Sequence, residues 1–234
     1  GLWCCIYQPH GLSLKRGPSS MAKPIPITVM LVDDHEIVRF GFRRLIETTK
    51  DIKVVAEACS GEEACILVPE YEPDIIIMDI NMPGIGGLEA IIRLCKRESK
   101  RKVIALTMHE TEPFPTRVLA AGAKGYLSKR CAPQELIVAI RCVFNGGEFI
   151  TTQVAREMSK TPGAQESAIE LLSAREFQVF SMFAEGRTAM EIGEKMNLNH
   201  KTIHSHRSNV MKKLKLKTTA NLVQFAMLQG IIPS

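Results

Sequence analysis

The chain has 234 residues, of which 45% are hydrophobic and 24% charged, and its formal net charge is +5. This composition is typical of a soluble globular protein with one or two domains, and no apolar stretch approaches the roughly 20 residues of a membrane span. The seven cysteines show no paired metal-ligand spacing, which favours a reducing cytoplasm over a disulfide framework.

The net positive charge comes from the carboxy-terminal part of the chain. Residues 171–234 contain nine Lys or Arg and four Asp or Glu, whereas residues 1–170 contain 21 of each sign. A neutral body followed by a basic segment indicates a regulatory domain joined to a nucleic-acid binder.

The first 24 residues stay unassigned. Their charges follow the apolar part, which is the reverse of the order in a signal peptide, and Met21 is typical of a natural start. We expect residues 1–24 to be a disordered or artefactual leader.

Residues 25–150 alternate short apolar runs with amphipathic segments. The predicted strands are Ile27–Val32, Lys53–Ala58, Asp74–Met78, Val103–Thr107 and Gly125–Ser128. The predicted helices are Glu36–Thr49, Gly61–Tyr71, Gly86–Glu98, Pro113–Ala121 and Pro133–Asn145. This alternation predicts a doubly wound α/β domain with a parallel sheet, whose site lies beyond the carboxyl ends of the strands.

Three acids stand at strand ends. Asp33 and Asp34 follow the first strand, and Asp79 closes the third. Three adjacent carboxylates are costly unless a hard divalent cation or a proton offsets their repulsion. The pattern therefore predicts a magnesium-assisted phosphoacceptor centred on Asp79.

Four further residues belong to the same predicted edge. Asn81 follows Asp79 in a loop that can offer a backbone carbonyl to a metal. Thr107 and Lys129 end the fourth and fifth strands, where a hydroxyl and an ammonium can hold a phosphoryl group. Tyr126 lies three residues before Lys129, so it faces the other side of the strand.

These segments resemble the receiver domain of bacterial two-component response regulators. The resemblance rests on Val32–His35, Met78–Gly84, Leu106–Thr107 and Gly125–Lys129, and Gly84–Ala90 resembles the NarL/FixJ subfamily. Glu112–Arg117 and Ala121–Tyr126 are similar to the GacA/UvrY group of that subfamily. The likeness covers about residues 27–232 and implies a flavodoxin-like receiver with a five-stranded sheet.

The resemblance implies a phosphorylation switch. Asp33, Asp34, Asp79 and the carbonyl of Asn81 would bind Mg²⁺, and Asp79 would take a phosphoryl group from a sensor histidine kinase or a phosphotransfer protein. Thr107 and Lys129 would hold the phosphoryl oxygens. Their movement would let Tyr126 turn from an exposed to a buried rotamer.

The carboxy-terminal part predicts a small all-α domain. Residues 151–170 read as a short helix and a linker, and residues 171–234 as four helices with N-caps at Ser173, Thr188 and Thr218. The second and third helices, Ala189–Met196 and His200–Leu214, are joined by a three-residue turn, which is typical of a helix-turn-helix.

The third helix is the candidate DNA-reading element. One face carries an apolar stripe and the other is rich in hydrogen-bond donors. With Leu172–Glu176, this segment resembles a LuxR-type domain. The resemblance implies that His204, Ser205 and Ser208 face base edges. The residues that would contact phosphates are Lys201, Thr202, Arg207, Lys212 and Lys213.

The expected assembly is a homodimer on promoter DNA. The fourth helix carries apolar residues, from Ala220 to Met227, that fit a dimer seam or packing within the domain. We expect the receiver to cover the DNA-reading surface until Asp79 is phosphorylated.

Two other functions fit parts of the pattern. The first is a metal-dependent phosphatase, but no acid lies two residues after Asp79 and the chain offers no cap domain, so an enzyme is not expected. The second is a phosphorylation-independent DNA-binding protein whose receiver serves as an interaction scaffold. A phosphorylation assay separates the second from the switch.

Overall fold

The computed structural model describes residues 25–108, 113–158 and 166–232. The predictions for residues 1–24 and for the centre of the linker lie outside these residues. Among the helices that the structure describes, none combines the length and apolar character needed to cross a membrane.

The amino-terminal domain contains a parallel sheet of six strands in the order β2-β1-β3-β4-β5-β6. The strands are β1 Ile27–Val32, β2 Ile52–Ala58, β3 Ile75–Asp79, β4 Val103–Thr107, β5 Gly125–Ser128 and β6 Phe149–Ile150. The five predicted strands are confirmed to within a residue. The two-residue β6 is too short to leave a sequence pattern, and it extends the sheet by pairing with β5.

Five helices connect these strands on both faces of the sheet. They are α1 Glu36–Glu47, α2 Gly61–Tyr71, α3 Gly86–Arg97, α4 Phe114–Ala120 and α5 Pro133–Phe144.

The third strand begins one residue later than predicted. Asp74 lies just before it and accepts hydrogen bonds from the N–H and the hydroxyl of Thr28, at 2.8 and 2.7 Å.

Alternating residues of β1 supply two cores. Val29 and Leu31 pack with residues of α1 and α5 on one face of the sheet. Met30 and Val32 belong to the other core, which covers the face under α2, α3 and α4. This second core continues into the carboxy-terminal helices, so the two domains share one apolar cluster.

The carboxy-terminal domain is helical, as predicted. Its helices are α6 Thr152–Met158, α7 Glu166–Glu170, α8 Ala174–Ala184, α9 Ala189–Met196, α10 His200–Lys213 and α11 Thr219–Leu228. Ser173 and Thr188 form capping boxes with Glu176 and Glu191. The turn between α9 and α10 begins with Asn197 in the left-handed region, at φ 53°. The short helix α7 was not predicted, because we assigned its residues to the linker.

Candidate functional site

The acidic residues meet at the centre of the sheet edge. Asp33 and Asp34 follow β1, Asp79 ends β3, and the two strands are neighbours at the point where the strand order reverses. Asp33 and Asp79 are 3% and 1% exposed. One ligand atom from each of Asp33, Asp34, His35 and Asp79 lies within 4.8 Å of the others. The predicted cluster is therefore brought together, with His35 as an additional member.

Lys129 bridges two of these carboxylates. Its Nζ lies 2.6 Å from Asp33 Oδ2 and 2.7 Å from Asp79 Oδ2, while its backbone N–H donates to the Thr107 carbonyl at 2.7 Å. Burial alone would lower the pKa of Lys129, but its contacts with Asp33 and Asp79 outweigh burial and raise it. Burial raises the pKa of Asp79 in spite of Lys129, so the carboxylate is held in surroundings that disfavour its charge.

The carboxylates fit a hard divalent cation. Asp33 Oδ2, Asp34 Oδ1 and Asp79 Oδ2 are buried and have no hydrogen bond of good geometry among the described residues. Asp33 Oδ2 and Asp79 Oδ2 lie in ion-pair contact with Lys129, and Asp34 Oδ1 lies 3.1 Å from His35 Nδ1. Buried oxygens without hydrogen bonds are rare in folded proteins and are the ligand atoms that Mg²⁺ prefers. The other oxygen of Asp79 is fixed by the N–H of Asn81 at 3.0 Å.

The two predicted switch residues lie inside the core. Thr107, the last residue of β4, and Tyr126 in β5 are both 0% exposed. Tyr126 belongs to the core that continues into the carboxy-terminal domain. The tyrosine therefore occupies the buried one of the two rotamers that the family resemblance implies.

Sequence reasoning missed two residues that support the acidic cluster. Arg39 in α1 donates from Nη1 to the Asp33 carbonyl at 2.6 Å and lies 3.2 Å from Glu57. Gly87 lets the start of α3 approach the sheet, because a Cβ there would lie 2.0 Å from the Asp79 carbonyl oxygen. The pair Gly86 and Gly87 at the start of α3 was a signal for Gly87, whereas no sequence signal pointed to Arg39.

The predicted DNA-reading face of α10 is open to solvent. His204, Ser205 and Ser208 are exposed, as are Lys201, Thr202 and Lys212. The opposite face is anchored in the domain by Ile203 and Val210, which are both 0% exposed. The geometry is that of a packed helix presenting a polar, cationic side.

Two residues that were predicted to contact DNA phosphates, Arg207 and Lys213, instead bind other residues of the domain. Arg207 lies over the ring of Phe183, 5.2 Å from its centroid, and donates to the Thr219 hydroxyl. Lys213 donates to Glu176 at 2.6 Å and to the Leu171 carbonyl at 3.0 Å. These contacts do not support the prediction that Arg207 and Lys213 bind DNA phosphates. A side chain at the edge of a helix face can turn toward DNA or toward its own domain, and the sequence alone does not decide between them.

Glu176 links the start of α8 to the end of α10. It completes the Ser173 capping box and accepts from Lys213. Burial alone would raise the pKa of Glu176, but Lys213 and the Ser173 N–H outweigh burial and lower it. The ion pair therefore fixes the recognition helix relative to its neighbour.

The amino-terminal domain packs against α8 and α9, not against the DNA-reading face. Arg175 in α8 donates to the Gly84 carbonyl, and the Gly84 N–H donates to the carbonyl of Lys195 in α9 at 2.9 Å. Phe114 in α4 contacts Phe177 with ring centroids 5.1 Å apart. The expectation that this domain covers the reading surface is wrong for the described arrangement, because that surface is exposed.

The apolar residues of α11 divide between two roles. Leu222 and Ala226 are 0% exposed and pack inside the domain. Met227 and Leu228 are 42% and 68% exposed. Ala220 is exposed and Val223 half-buried, so these two residues are left for a contact between copies together with Met227 and Leu228.

A buried acidic cluster on an α/β domain, joined to an exposed helix-turn-helix, is the arrangement of a DNA-binding regulator. The family description "Response regulator receiver domain" matches residues 29–141, and "Bacterial regulatory proteins, luxR family" matches residues 170–226.

Proteins and solved structures of this kind match nearly the whole chain. The response regulator UvrY of Escherichia coli K12 is 42% identical over 208 residues, which are 88% of this chain and 95% of UvrY. The response regulator GacA of Pseudomonas viridiflava is 38% identical over 209 residues, covering 88% and 98%. A structure of RcsB from Salmonella enterica serovar Typhimurium, bound to a promoter with the phosphomimetic BeF₃⁻, matches with a TM-score of 0.60, 28% identity and coverage of 85% and 97%.

The chain belongs to the two-component response regulators that join a receiver domain to a LuxR-type helix-turn-helix. It is a DNA-binding transcription regulator, and the resemblance inferred from its sequence is confirmed. Receiver domains of this family bind Mg²⁺ at an acidic pocket, and the cluster of Asp33, Asp34 and Asp79 has that chemistry.

Proposed function

We propose that Asp79 accepts a phosphoryl group from a sensor histidine kinase or a phosphotransfer protein and thereby controls promoter binding. The observation that carries this proposal is the buried Asp79 Oδ2, which lies 2.7 Å from the ammonium of Lys129 and beside the carboxylates of Asp33 and Asp34. An anionic oxygen held beside a cation at the carboxyl edge of the sheet is suited to attack on phosphorus.

The chemistry is a transfer between two side chains. Asp79 Oδ2 forms a bond to the phosphorus of a phosphohistidine, the P–N bond breaks, and its electron pair returns to the imidazole. Asp33, Asp34, Asp79 and the Asn81 carbonyl would hold Mg²⁺, which would supply charge neutralisation when bound. Lys129 and Thr107 hold the phosphoryl oxygens, and Asn81 orients the attacking carboxylate through its N–H.

The transfer modifies the protein once per signal and is not turnover, so no enzyme activity is proposed. Lys129 has to exchange one carboxylate contact for a phosphoryl contact. The Lys129 N–H is hydrogen-bonded to the Thr107 carbonyl, so a movement of Lys129 would also move the end of β4. The buried Tyr126 lies in β5, which pairs with β4. We assign Thr107 and Tyr126 as the switch residues on this basis.

The output is promoter binding by α10. We assign His204, Ser205 and Ser208 to base edges and Lys201, Thr202 and Lys212 to phosphates, because these side chains are exposed on one helix. A homodimer on an inverted repeat would place two copies of α10 in successive major grooves. The exposed Met227 and Leu228 support a seam on α11.

The domain boundaries follow from the same features. We propose a receiver at 25–150, a short helix and linker at 151–170, and the helix-turn-helix domain at 171–234. The matched ranges 29–141 and 170–226 support this division to within one residue at the second boundary. We also propose a cytoplasmic location, which the free thiols of Cys59, Cys65, Cys95, Cys131 and Cys142 support.

The test is labelling of the full chain by a small phosphodonor such as acetyl phosphate. We expect Mg²⁺-dependent incorporation that is lost in Asp79→Asn and kept in Asp51→Asn, an exposed aspartate paired with Arg141. Labelled protein should bind promoter DNA more tightly than unlabelled protein. Labelling of Asp79 without any change in dimerisation or DNA affinity would favour the scaffold function instead.

A further inference from the structure

A cavity lies between the two domains, close to residues 80–85, the loop that follows Asp79, which we call the phosphoacceptor loop. Its volume is about 160 Å³, and we call it the interdomain cleft. Met82 and Phe114 of the receiver form one apolar wall, and Phe177 and Met182 of α8 form the other. Asn81, two residues after Asp79, also lines it. Ligand sites occur preferentially at such junctions between domains.

Two residues of the lining, Arg117 and Ser181, each carry a buried polar atom without a hydrogen bond. Among the described residues, Arg117 Nε and Ser181 Oγ have no hydrogen-bond partner. The rest of the Arg117 guanidinium is fixed, because it donates to the carbonyls of Ile169 and Leu172 at 2.9 and 2.7 Å and lies over Phe177 at 4.5 Å. Arg117 therefore cannot turn to satisfy Nε without breaking these contacts. Unpaired buried donors of this kind are costly unless something else accepts from them.

The charges of the lining favour an anion. Its two carboxylates are paired, Glu89 with Arg93 at 2.8 Å and Glu185 with Arg187 at 3.0 Å. The remaining charged lining residues, Arg117 and Lys195, are positive. A carboxylate can accept from both an N–H and a hydroxyl and is neutralised by a guanidinium.

The size and the walls define the rest of the ligand. The cleft, at about 160 Å³, is close in volume to a cavity of about 150 Å³ that holds one benzene ring. We propose that the interdomain cleft binds a small apolar monocarboxylate, with its carboxylate on Arg117 Nε and Ser181 Oγ and its hydrocarbon part between Phe114, Phe177 and Met182.

Such a ligand would act on the joint between the domains. Because both domains line the cleft, the ligand binds the docked arrangement and stabilises it by mass action. Binding and phosphorylation would then be linked through the loop that carries Asn81 and Met82. The site would give the regulator a metabolite input separate from Asp79.

The experiment is calorimetric titration of the full chain with benzoate, and with benzyl alcohol as the uncharged analogue. We expect a single benzoate site and a roughly tenfold or larger loss of affinity for benzyl alcohol, which lacks the charge. Ser181→Ala should weaken benzoate binding by roughly tenfold, the effect of one hydrogen bond to a charged group. Ser181→Leu, which fills the cleft, should abolish it, while Ser99→Leu at an exposed turn should leave it unchanged.

Three outcomes overturn the proposal. They are no benzoate binding at millimolar concentrations, equal affinity for benzyl alcohol, and undiminished binding by a Ser181→Leu variant whose circular dichroism shows that it is folded. None of these measurements uses phosphate or DNA. Failure here therefore leaves the phosphorylation switch standing, and failure of the switch leaves the cleft testable.

Discussion

Lys129 favours the charged form of Asp79, whereas burial and the neighbouring charge of Asp33 disfavour it. Burial raises its pKa, and the charge of Asp33 acts in the same direction, while Lys129 and the Asn81 N–H act against them. A further cation bound by the carboxylates of Asp33, Asp34 and Asp79 would therefore stabilise the folded protein.

Magnesium should therefore stabilise the protein through Asp34. At about ten times its dissociation constant, Mg²⁺ should add roughly 1.4 kcal/mol and raise the melting temperature by about 3–6 °C. Asp34→Ala should lose this increment, whereas Asp51→Ala, at an exposed ion pair with Arg141, should keep it. Thermal unfolding with and without Mg²⁺ measures both. Equal Mg²⁺ shifts in wild type and Asp34→Ala would contradict the assignment.

Gly87 is required by close packing against Asp79. A Cβ at Gly87 would overlap the Asp79 carbonyl, so Gly87→Ala has to displace α3 or β3 and should cost about 1–3 kcal/mol. Gly41 in α1 is a matched control, because a Cβ there meets nothing within 4 Å and Gly41→Ala should stabilise by about 0.5–1 kcal/mol. Urea unfolding of both variants tests this, and opposite signs are the expected result.

At this scale, sequence reasoning predicted residues whose place follows from strand ends. Asp33, Asp79, Thr107 and Lys129 each stand at or after the end of a strand, and parallel strands bring such ends together. Arg39 was not predictable in this way, because a helix residue reaches the site only if the helix has the right rotation on the sheet.

The helix α10 carries two adjacent lysines with different roles. Lys212 is exposed, whereas Lys213 is bound to Glu176 and to the Leu171 carbonyl. The predicted phosphate face and the structural anchor therefore meet at the end of one helix. Replacing each lysine separates the two roles.

Lys213→Ala should destabilise the helix-turn-helix domain and leave the salt dependence of DNA binding nearly unchanged. The loss leaves the buried carboxylate of Glu176 without its cation and should cost about 1–3 kcal/mol. Lys212→Ala should change stability little and reduce the salt slope of DNA binding by roughly one. Urea unfolding and fluorescence anisotropy against salt concentration give the two readouts. A reduced slope in Lys213→Ala would return that lysine to the DNA interface.

Elements with local signals were predicted well. The caps at Ser173, Thr188 and Thr218 depend on residues three positions apart, and all three are confirmed. The elements that were missed, β6 and α7, have two and five residues, so neither shows a full period. Their formation depends on neighbours distant in sequence, such as β5 beside β6.

The interface between the two domains, called the joint below, fixes how they are arranged in the whole molecule. The loop that follows Asp79 is bonded to α8 and α9 through Gly84, and the apolar core passes from α4 into α8 through Phe114 and Phe177. Nothing in the composition or periodicity predicts which faces of two domains meet. The sequence-based expectation that the receiver covers α10 was wrong for this reason, while the two domains themselves were predicted.

The joint should open when Arg175 is removed. Its guanidinium donates to the Gly84 carbonyl and to the side chain of Gln178, which itself donates to Gly84, so Arg175→Ala removes the main polar link between α8 and the phosphoacceptor loop. We expect a larger radius of gyration by small-angle X-ray scattering. Arg93→Ala, which removes an exposed ion pair within α3, should leave the radius unchanged. Because Gly84 lies five residues after Asp79, the open variant should also lose any effect of phosphorylation on DNA affinity that depends on the joint. Unchanged scattering by Arg175→Ala would show that the apolar contact of Phe114 with Phe177 suffices to hold the domains together.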